Sequence, residues 1–216
     1  MLKVNEIFTS IQGESTHAGK LCFFIRLSDC NLNCSYCDTE YAKTAENSKE
    51  YSIEKLAELA IKSGAKTIEI TGGEPLLQID KVIELSQLLL EKSLTVLIET
   101  NGSLSISKLP QEVIKIVDCK TPSSGENESN LYSNYDLLQT HDEIKFVIAD
   151  FADYVYTIKI IDEYELLKKT KNILLSPVFG KINPQEIVEW MIQDKLNVRF
   201  QLQMHKTIWN PNERGV

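Results

Sequence analysis

The chain has 216 residues, 43% of them hydrophobic, so it can bury a sizeable core, and we predict one domain over residues 1–216. Its formal net charge of −8, with no local cluster of lysine and arginine, disfavours binding to a phosphate backbone, so we expect no nucleic-acid partner. The opening segment MLKVNEIFTS lacks the pattern of a secretion signal, and no apolar run approaches membrane-spanning length. We therefore expect no membrane partner and a cytoplasmic location.

Short apolar runs alternate with segments of helical periodicity along the chain. The runs that predict β-strands are residues 22–28, 67–71, 94–99, 113–118, 143–149, 172–176 and 197–203. The segments that predict helices are residues 52–64, 79–92 and 183–192, with Ser52 and Asn183 as caps and Gly64 as a stop. Residues 121–135 are rich in polar turn formers and predict a loop.

This alternation of strands and helices predicts the fold class. Strands separated by helices pair in parallel through right-handed crossovers. A complete eight-fold barrel usually needs roughly 250 residues. We therefore predict an α/β fold, an incomplete TIM-like barrel of about six or seven mostly parallel strands with crossover helices.

Cys30, Cys34 and Cys37 form a C-x3-C-x2-C pattern directly after the first strong strand, where folds of this class keep their chemistry. The chain has five cysteines, an odd number, and these three lie close together, which favours ligand roles over a disulfide framework. Metal sites made of thiolates usually close with four ligands, and no fourth cysteine stands in register. The pattern predicts an iron–sulfur cluster with one open iron or, as an alternative, a zinc-stabilised binding module without enzymatic activity.

The spacing of the cysteines resembles the signature of the radical S-adenosylmethionine (radical SAM) superfamily. That resemblance implies a [4Fe-4S] cluster on Cys30, Cys34 and Cys37 whose open iron is chelated by the amino and carboxylate groups of S-adenosylmethionine. The segment TGGEP, residues 71–75, follows the second predicted strand and resembles the superfamily's Gly-Gly-Glu element. The S-adenosylmethionine contacts that the resemblance implies are Tyr36, Cys37, Asp38, Gly72, Gly73, Glu74, Thr121, Pro122 and Ser123.

Within the superfamily, residues 10–42, SIQGESTHAGKLCFFIRLSDCNLNCSYCDTEYA, resemble the amino-terminal signature of the 7-carboxy-7-deazaguanine synthase family. The segment QLQMHKTIWNP near the end carries a matching histidine, and the resemblance extends over residues 1–216. Residues 15–17 depart from the family, which often has a glycine there. The resemblance implies that Thr39 is a Mg²⁺ ligand. The implied substrate contacts are Ile11, Gln12, Gly13, Glu14, Arg26, Thr71 and His205.

The family resemblance also implies an activity and partners. The activity is a radical ring contraction of 6-carboxy-5,6,7,8-tetrahydropterin to 7-carboxy-7-deazaguanine with loss of ammonia, on the route to deazapurines such as queuosine. An external electron donor such as flavodoxin or ferredoxin and a homodimer are implied as well. A glycyl-radical-enzyme activase shares the cysteine triplet and the Gly-Gly-Glu element and remains the alternative enzyme. Turnover of the small pterin separates the two activities.

Overall fold

A computed structural model describes all 216 residues. The strands are β1 (Leu2–Ile11), β2 (Leu21–Leu27), β3 (Lys49–Tyr51), β4 (Thr67–Gly72), β5 (Thr95–Thr100), β6 (Ile114–Asp118), β7 (Glu143–Ile148), β8 (Asn172–Pro177) and β9 (Arg199–Phe200). The helices are α1 (Ile53–Ser63), α2 (Ile79–Glu91), α3 (Phe151–Glu163), α4 (Leu166–Lys169), α5 (Pro184–Gln193) and α6 (His205–Ile208).

All nine strands lie in one sheet of order β3-β1-β2-β4-β5-β6-β7-β8-β9. Six successive parallel pairings join β2 to β4 and onward to β9, so the seven predicted strands form the parallel part of the sheet. The predicted mostly parallel α/β fold is confirmed. β1 adds an antiparallel partner to β2, and β3 pairs with β1 at the outer edge.

The sequence patterns missed β1, β3 and three helices. β1 mixes apolar and polar residues without clean alternation, because much of it is only half-buried. α3 is rich in aromatic and β-branched residues, which lower helix propensity and obscure the helical period. β3, α4 and α6 are each at most four residues long, too short for a periodic signal.

The predicted helix ends coincide with capping contacts. The Ser52 side chain accepts a hydrogen bond from the Lys55 amide at the start of α1, and Gly64 ends the helix with φ of 76°. Asn183 and Glu186 form a reciprocal capping box at the start of α5, with a proline at the first helical position. These local contacts fix where each helix crosses over the sheet.

The sheet has two chemically different faces. Ile68 and Ile70 of β4 belong to a cluster of 35 buried apolar residues that also includes the inner faces of α1 and α2. Each fully buried aliphatic side chain of this kind stabilises the fold by about 1.5 to 3 kcal/mol. Because side chains alternate along a strand, Glu69 and Thr71 point to the opposite face. That opposite face is the concave interior of the open barrel.

Residues 121–135 contain no helix or strand of regular length, as predicted, but they are well packed. They form short 3₁₀ turns, and Thr121, Ser124, Asn134 and Tyr135 are buried. Tyr135 joins the apolar core, which the polar composition of this segment did not indicate. No helix anywhere in the chain combines the length and the apolar character needed to span a membrane.

Candidate active site

The carboxyl ends of the parallel strands surround a cavity of about 250 Å³. This is the edge of the sheet where folds of this class place their active sites. The amino-terminal strand, the cysteine loop and the last residues of the chain also line it. The predicted site residues that line this cavity are Ile11, Gln12, Gly13, Glu14, Arg26, Cys30, Cys34, Tyr36, Cys37, Asp38, Thr39, Thr71, Gly72, Gly73 and His205.

The cysteine loop leaves β2 and passes along one side of the cavity. Cys30, Cys34 and Cys37 are half-buried, and burial raises the pKa of the Cys30 and Cys34 thiols. The Asn101 side-chain amide donates a hydrogen bond to the Cys30 sulfur at 3.8 Å. Cys22 and Cys119 are buried in or beside strands, away from this cavity.

The donor set fits an iron–sulfur cluster. Three soft sulfur ligands on one short loop suit the separate irons of a cluster. A single zinc ion would instead need its ligands gathered around one point at about 2.3 Å. No group of three or more His, Cys, Asp or Glu side chains has that arrangement. The geometry therefore favours the cluster over the zinc-stabilised module.

Gly72 ends β4 and Gly73 follows it, and both press against the chain just before Cys30. Gly73 donates its amide to the Leu27 carbonyl at 3.0 Å, and the next amide, of Glu74, donates to the Asp29 carbonyl at 2.7 Å. A β-carbon on Gly73 would collide with the Asp29 carbonyl oxygen. The glycine pair thus brings the end of β4 against the start of the cysteine loop.

Glu74 does not present a free carboxylate to the cavity. Its side chain is fully buried and accepts hydrogen bonds from the amides of Leu76 and Asn101 and from the Thr100 hydroxyl, at 2.7–2.9 Å. Burial raises the pKa of Glu74 to about 6. In this structure the carboxylate braces the loops after β4 and β5. Its predicted contact with the S-adenosylmethionine amino group remains a prediction.

Thr121, Pro122 and Ser123 lie behind the cysteine loop rather than on the cavity wall. The Ser35 hydroxyl donates to the Ser123 carbonyl at 2.6 Å, and the Tyr36 hydroxyl lies 3.3 Å from that of Thr121. These contacts hold the middle of the cysteine loop. Their predicted role as direct S-adenosylmethionine contacts remains a prediction.

Arg26 lines the cavity from β2, next to Thr71 of β4 in the parallel register. Its Nε donates to Glu6 at 2.8 Å, and Glu6 also accepts a hydrogen bond from the Tyr41 hydroxyl at 2.8 Å. The two terminal amino groups of the guanidinium have no acceptor in the protein. They are therefore available to a bidentate anion such as a carboxylate.

The amino-terminal loop and α6 meet across the floor of the cavity. The Gly13 carbonyl accepts the Met204 amide at 3.0 Å, and the His205 ring packs where a Gly13 side chain would lie. Burial lowers the pKa of His205, which favours the neutral imidazole. The Glu14 carboxylate accepts a hydrogen bond from the Gln203 amide at 2.8 Å. Residues nearly two hundred positions apart thus form one surface.

Thr39 stands at the end of the cysteine loop. Its hydroxyl lies 3.8 Å from the Cys37 sulfur and faces the cavity. The short turn that follows Thr39 receives no side-chain capping hydrogen bond from it. The hydroxyl is therefore free of the structural role that threonine often has at such a position.

Comparison with known proteins identifies the family. The model of the radical SAM superfamily matches residues 25–191. A 7-carboxy-7-deazaguanine synthase of Clostridium acetobutylicum is 46% identical over 99% of both chains. A 7-carboxy-7-deazaguanine synthase of Koribacter versatilis is 40% identical over the full length of both chains. The chain belongs to the 7-carboxy-7-deazaguanine synthase family of radical SAM enzymes. The cofactors of this superfamily are a [4Fe-4S] cluster and S-adenosylmethionine.

The fold of this synthase-family member also resembles a solved structure. The crystal structure of QueE from Escherichia coli matches with a TM-score of 0.72 over 93% of each chain, at 23% sequence identity. At that identity the likeness concerns the fold alone, and it supports the partial barrel described above.

Several charged residues that line the cavity were not predicted, among them three on its strands and one on α6. Glu69, Glu99 and Lys145 lie on the inner face of β4, β5 and β7, and Lys206 of α6 donates to Asp38 at 2.7 Å. The signal for the first three is present in the sequence, because a charge inside a strand that is otherwise buried on both faces is unusual. The ion pair of Lys206 is a long-range contact without a local signal. In this member of the synthase family, the floor of the cavity is thus built from buried charges.

Proposed function

We propose that the protein is a radical SAM carbon–nitrogen lyase that converts 6-carboxy-5,6,7,8-tetrahydropterin to 7-carboxy-7-deazaguanine with loss of ammonia, in the biosynthesis of deazapurines such as queuosine. The observation that carries the proposal is the single cavity that joins the cysteine loop to the predicted pterin contacts. The full-length relatives named 7-carboxy-7-deazaguanine synthase support it. They also favour this activity over a glycyl-radical-enzyme activase and over a zinc module. We propose that residues 1–216 act as one domain.

Cys30, Cys34 and Cys37 would hold the cluster, and the backbone of Gly72 and Gly73 would border S-adenosylmethionine beside it. When bound, the two cofactors supply the radical that removes a hydrogen atom from the pterin. The residues of the chain position the pterin. The free amino groups of Arg26 suit the pterin carboxylate, because guanidinium and carboxylate form paired charge-assisted hydrogen bonds. The carboxylate of Glu14, which accepts a hydrogen bond from the Gln203 side chain, suits the N–H groups of the pterin ring.

Anaerobic reconstitution with iron and sulfide, followed by an assay with the carboxy-tetrahydropterin, tests the proposal. We expect formation of 7-carboxy-7-deazaguanine that requires S-adenosylmethionine and a reductant. A fully loaded protein that cleaves S-adenosylmethionine but leaves the pterin unchanged would contradict the proposed substrate. Reductive generation of a glycyl radical on a protein would instead support the activase alternative.

Replacing Arg26 or His205 with alanine should weaken pterin binding without changing the iron content. Loss of a charge-assisted hydrogen bond at Arg26 is expected to cost about 1.5 to 3 kcal/mol, roughly one to two decades in affinity. Arg199 on β9 and His141 are exposed and lie outside the cavity, so their alanine variants are matched controls. Normal pterin affinity in both the Arg26 and His205 variants would refute the substrate-site assignment.

We further propose that turnover depends on Mg²⁺ and that the Thr39 hydroxyl is one of its ligands. Mg²⁺ prefers hard oxygen ligands and often takes only one or two from the protein, which leaves positions for water and a substrate carboxylate. The Thr39 hydroxyl faces the cavity and makes no capping hydrogen bond to the turn that follows it, which supports this role. Thr39→Ser should keep stimulation by Mg²⁺, whereas Thr39→Val should lose it with the cluster intact. Equal stimulation of the wild-type and Thr39→Val proteins would leave the metal role unsupported.

An external one-electron donor such as flavodoxin or ferredoxin, a homodimer and a cytoplasmic location are also proposed. The donor and the homodimer rest on the family resemblance, and the location rests on the sequence pattern described above. Light scattering of the reconstituted protein tests the dimer, and turnover with each reduced carrier protein tests the donor.

A further inference from the structure

The floor of the cavity contains one buried ammonium group between two carboxylates. Lys145 lies on β7, beside Asp118 of β6 in the parallel register, and its side chain is 7% exposed. Its Nζ is 3.2 Å from an oxygen of Glu14 and forms a closer ion pair with Glu99. These carboxylates come from the loop after β1 and from the end of β5. Lys145 is therefore the charge that joins three separate parts of the chain.

Both carboxylates are connected to predicted substrate contacts. The second oxygen of Glu14 accepts the Gln203 side-chain amide at 2.8 Å, and the backbone amide of Glu14 donates to the Gln12 side chain at 3.0 Å. The second oxygen of Glu99 accepts the Thr71 hydroxyl at 3.0 Å. All five of these residues line the cavity. A change at Lys145 would therefore alter the surface on which the proposed substrate lies.

We propose that Lys145 is a positioning residue for substrate recognition, which holds the carboxylates of Glu14 and Glu99 as oriented acceptors for the N–H edge of a 2-aminopyrimidinone ring. This inference rests on the proposed function, since a pterin is the ligand that carries such an edge. Adjacent N–H donors on a planar ring match the paired oxygens of a carboxylate. A protonated carboxyl group would offer one acceptor fewer and would place a donor against the ring.

Electrostatics in the floor agree with this arrangement. Burial would lower the pKa of Lys145, but Glu14 and Glu99 raise it well above its ordinary value, so the ammonium persists. Burial would raise the pKa of Glu99, but Lys145 holds it below the ordinary value. Burial raises the pKa of Glu69 well above its ordinary range, and the neighbouring carboxylates of Glu99 and Glu14 raise it further. The remaining titratable groups that face this cluster are Arg26 on β2, Asp118 on β6, Glu143 on β7, Asp38 on the cysteine loop, and His205 and Lys206 on α6.

Lys145→Met tests the proposal in the reconstituted protein with S-adenosylmethionine present. The probe is 6-carboxy-5,6,7,8-tetrahydropterin, and its equilibrium binding is measured anaerobically from about pH 6 to about pH 9. Near neutral pH we expect Kd to rise roughly 10- to 100-fold, because the partly buried Glu99 carboxylate takes up a proton once it loses its cation. Affinity should recover as the pH rises and Glu99 ionises again. The wild-type profile over the same range corrects for titration of the pterin itself.

Two further variants separate positioning from folding. Lys145→Arg keeps the charge and should retain affinity within a few-fold of wild type. Lys115→Met removes a comparably buried lysine, which is paired with Asp142 outside the cavity. It should lower stability but leave pterin affinity and its pH profile unchanged. If Lys145→Met fails to fold, Lys145→Met combined with Glu99→Gln carries one charge fewer in the cavity and should bind the pterin more weakly than Glu99→Gln alone, because Glu14 lacks its ion-pair partner.

Two outcomes would overturn the proposal. One is unchanged affinity in Lys145→Met or, where that variant does not fold, a double variant that binds the pterin as well as Glu99→Gln alone. The other is a loss that is constant with pH and absent for tetrahydropterin without the carboxylate, because Lys145 would then bind the substrate carboxylate directly. A wild-type protein that neither binds nor converts the carboxylated pterin would instead contradict the proposed function. Binding and turnover by wild type thus distinguish the two failures.

Discussion

Replacing Cys34 with alanine will abolish loading of the iron–sulfur cluster and with it all turnover, and Cys30→Ala and Cys37→Ala will do the same. In the proposed site each thiolate would hold a separate iron, so two remaining ligands would not retain a cluster that already leaves one iron open. The three cysteines lie on one loop at the wall of one cavity. Iron and sulfide content and the visible absorbance after anaerobic reconstitution measure the effect.

The other two cysteines provide the control for this experiment. Cys22 and Cys119 are 0% and 1% exposed and do not line the cavity. Burial raises the pKa of Cys119 to about 12, so its thiol stays protonated and is a poor metal ligand. Their alanine variants should lose about 1 kcal/mol of stability, the cost of a small buried apolar group, and keep full iron content. Full loading of Cys34→Ala would refute the cluster assignment.

The parallel part of the sheet was predictable because its strands are buried on both faces. Such strands are continuous apolar runs, and the helices between them carry recognisable caps. β1 could not be found in the same way, since its role depends on pairing with β2 rather than on its own composition. The predicted cysteine loop and glycine pair also lie side by side, because they stand at the carboxyl ends of the adjacent parallel strands β2 and β4.

The charged side chains on the floor of the cavity were not predicted from the sequence. Glu69, Glu99 and Lys145 each interrupt an apolar run, and only the fold shows that they point into one interior. Their contacts join residues 46 and 131 positions apart in sequence, for the pairs of Lys145 with Glu99 and Glu14. No local pattern specifies such partners. A charge within a doubly buried strand nevertheless marks the position as one to examine.

The carboxyl-terminal tail was likewise beyond prediction. The Arg214 guanidinium lies 3.4 Å from the centre of the Tyr41 ring, and Tyr41 donates to Glu6, the partner of Arg26. Pro211 through Val216 reach the cavity wall in part through this cation–π contact. A tail of six polar and small residues has no periodicity, so its position depends on tertiary contacts alone.

The formal net charge of the chain does not describe the charges inside the cavity. The chain carries a formal charge of −8, yet six cationic side chains stand among the carboxylates that line the cavity, where anionic groups of a carboxylated substrate and of S-adenosylmethionine would bind. Those cations are Arg26, Lys43, Lys120, Lys145, Lys206 and Arg214. A low-dielectric cleft strengthens such local charges relative to the distant surface. The acidic composition therefore argues against nucleic acid without arguing against a small anion.

Gly73→Ala is expected to destabilise the fold by about 3 kcal/mol and to reduce cluster loading, because its methyl group has no space. The new β-carbon would lie 2.6 Å from the Asp29 carbonyl carbon and 3.0 Å from the Ala42 carbonyl oxygen. Asp29 precedes Cys30 directly, and its amide donates to that same Ala42 carbonyl. Both ends of the cysteine loop must therefore move to admit one methyl group. Denaturant unfolding of the apoprotein and iron content after reconstitution measure the two effects separately.

Gly64→Ala is the matched control, because it introduces backbone strain without a steric collision. Gly64 ends α1 with φ of 76°, and nothing lies within 4 Å of a β-carbon built there. Alanine at that position should cost about 1 kcal/mol through backbone strain alone, with no effect on the cluster. Gly73 does not have a left-handed φ, so its substitution adds a collision and no such strain. If Gly73→Ala loaded iron like the wild type and unfolded like Gly64→Ala, the close approach of the glycine pair to the cysteine loop would not be what the cluster requires.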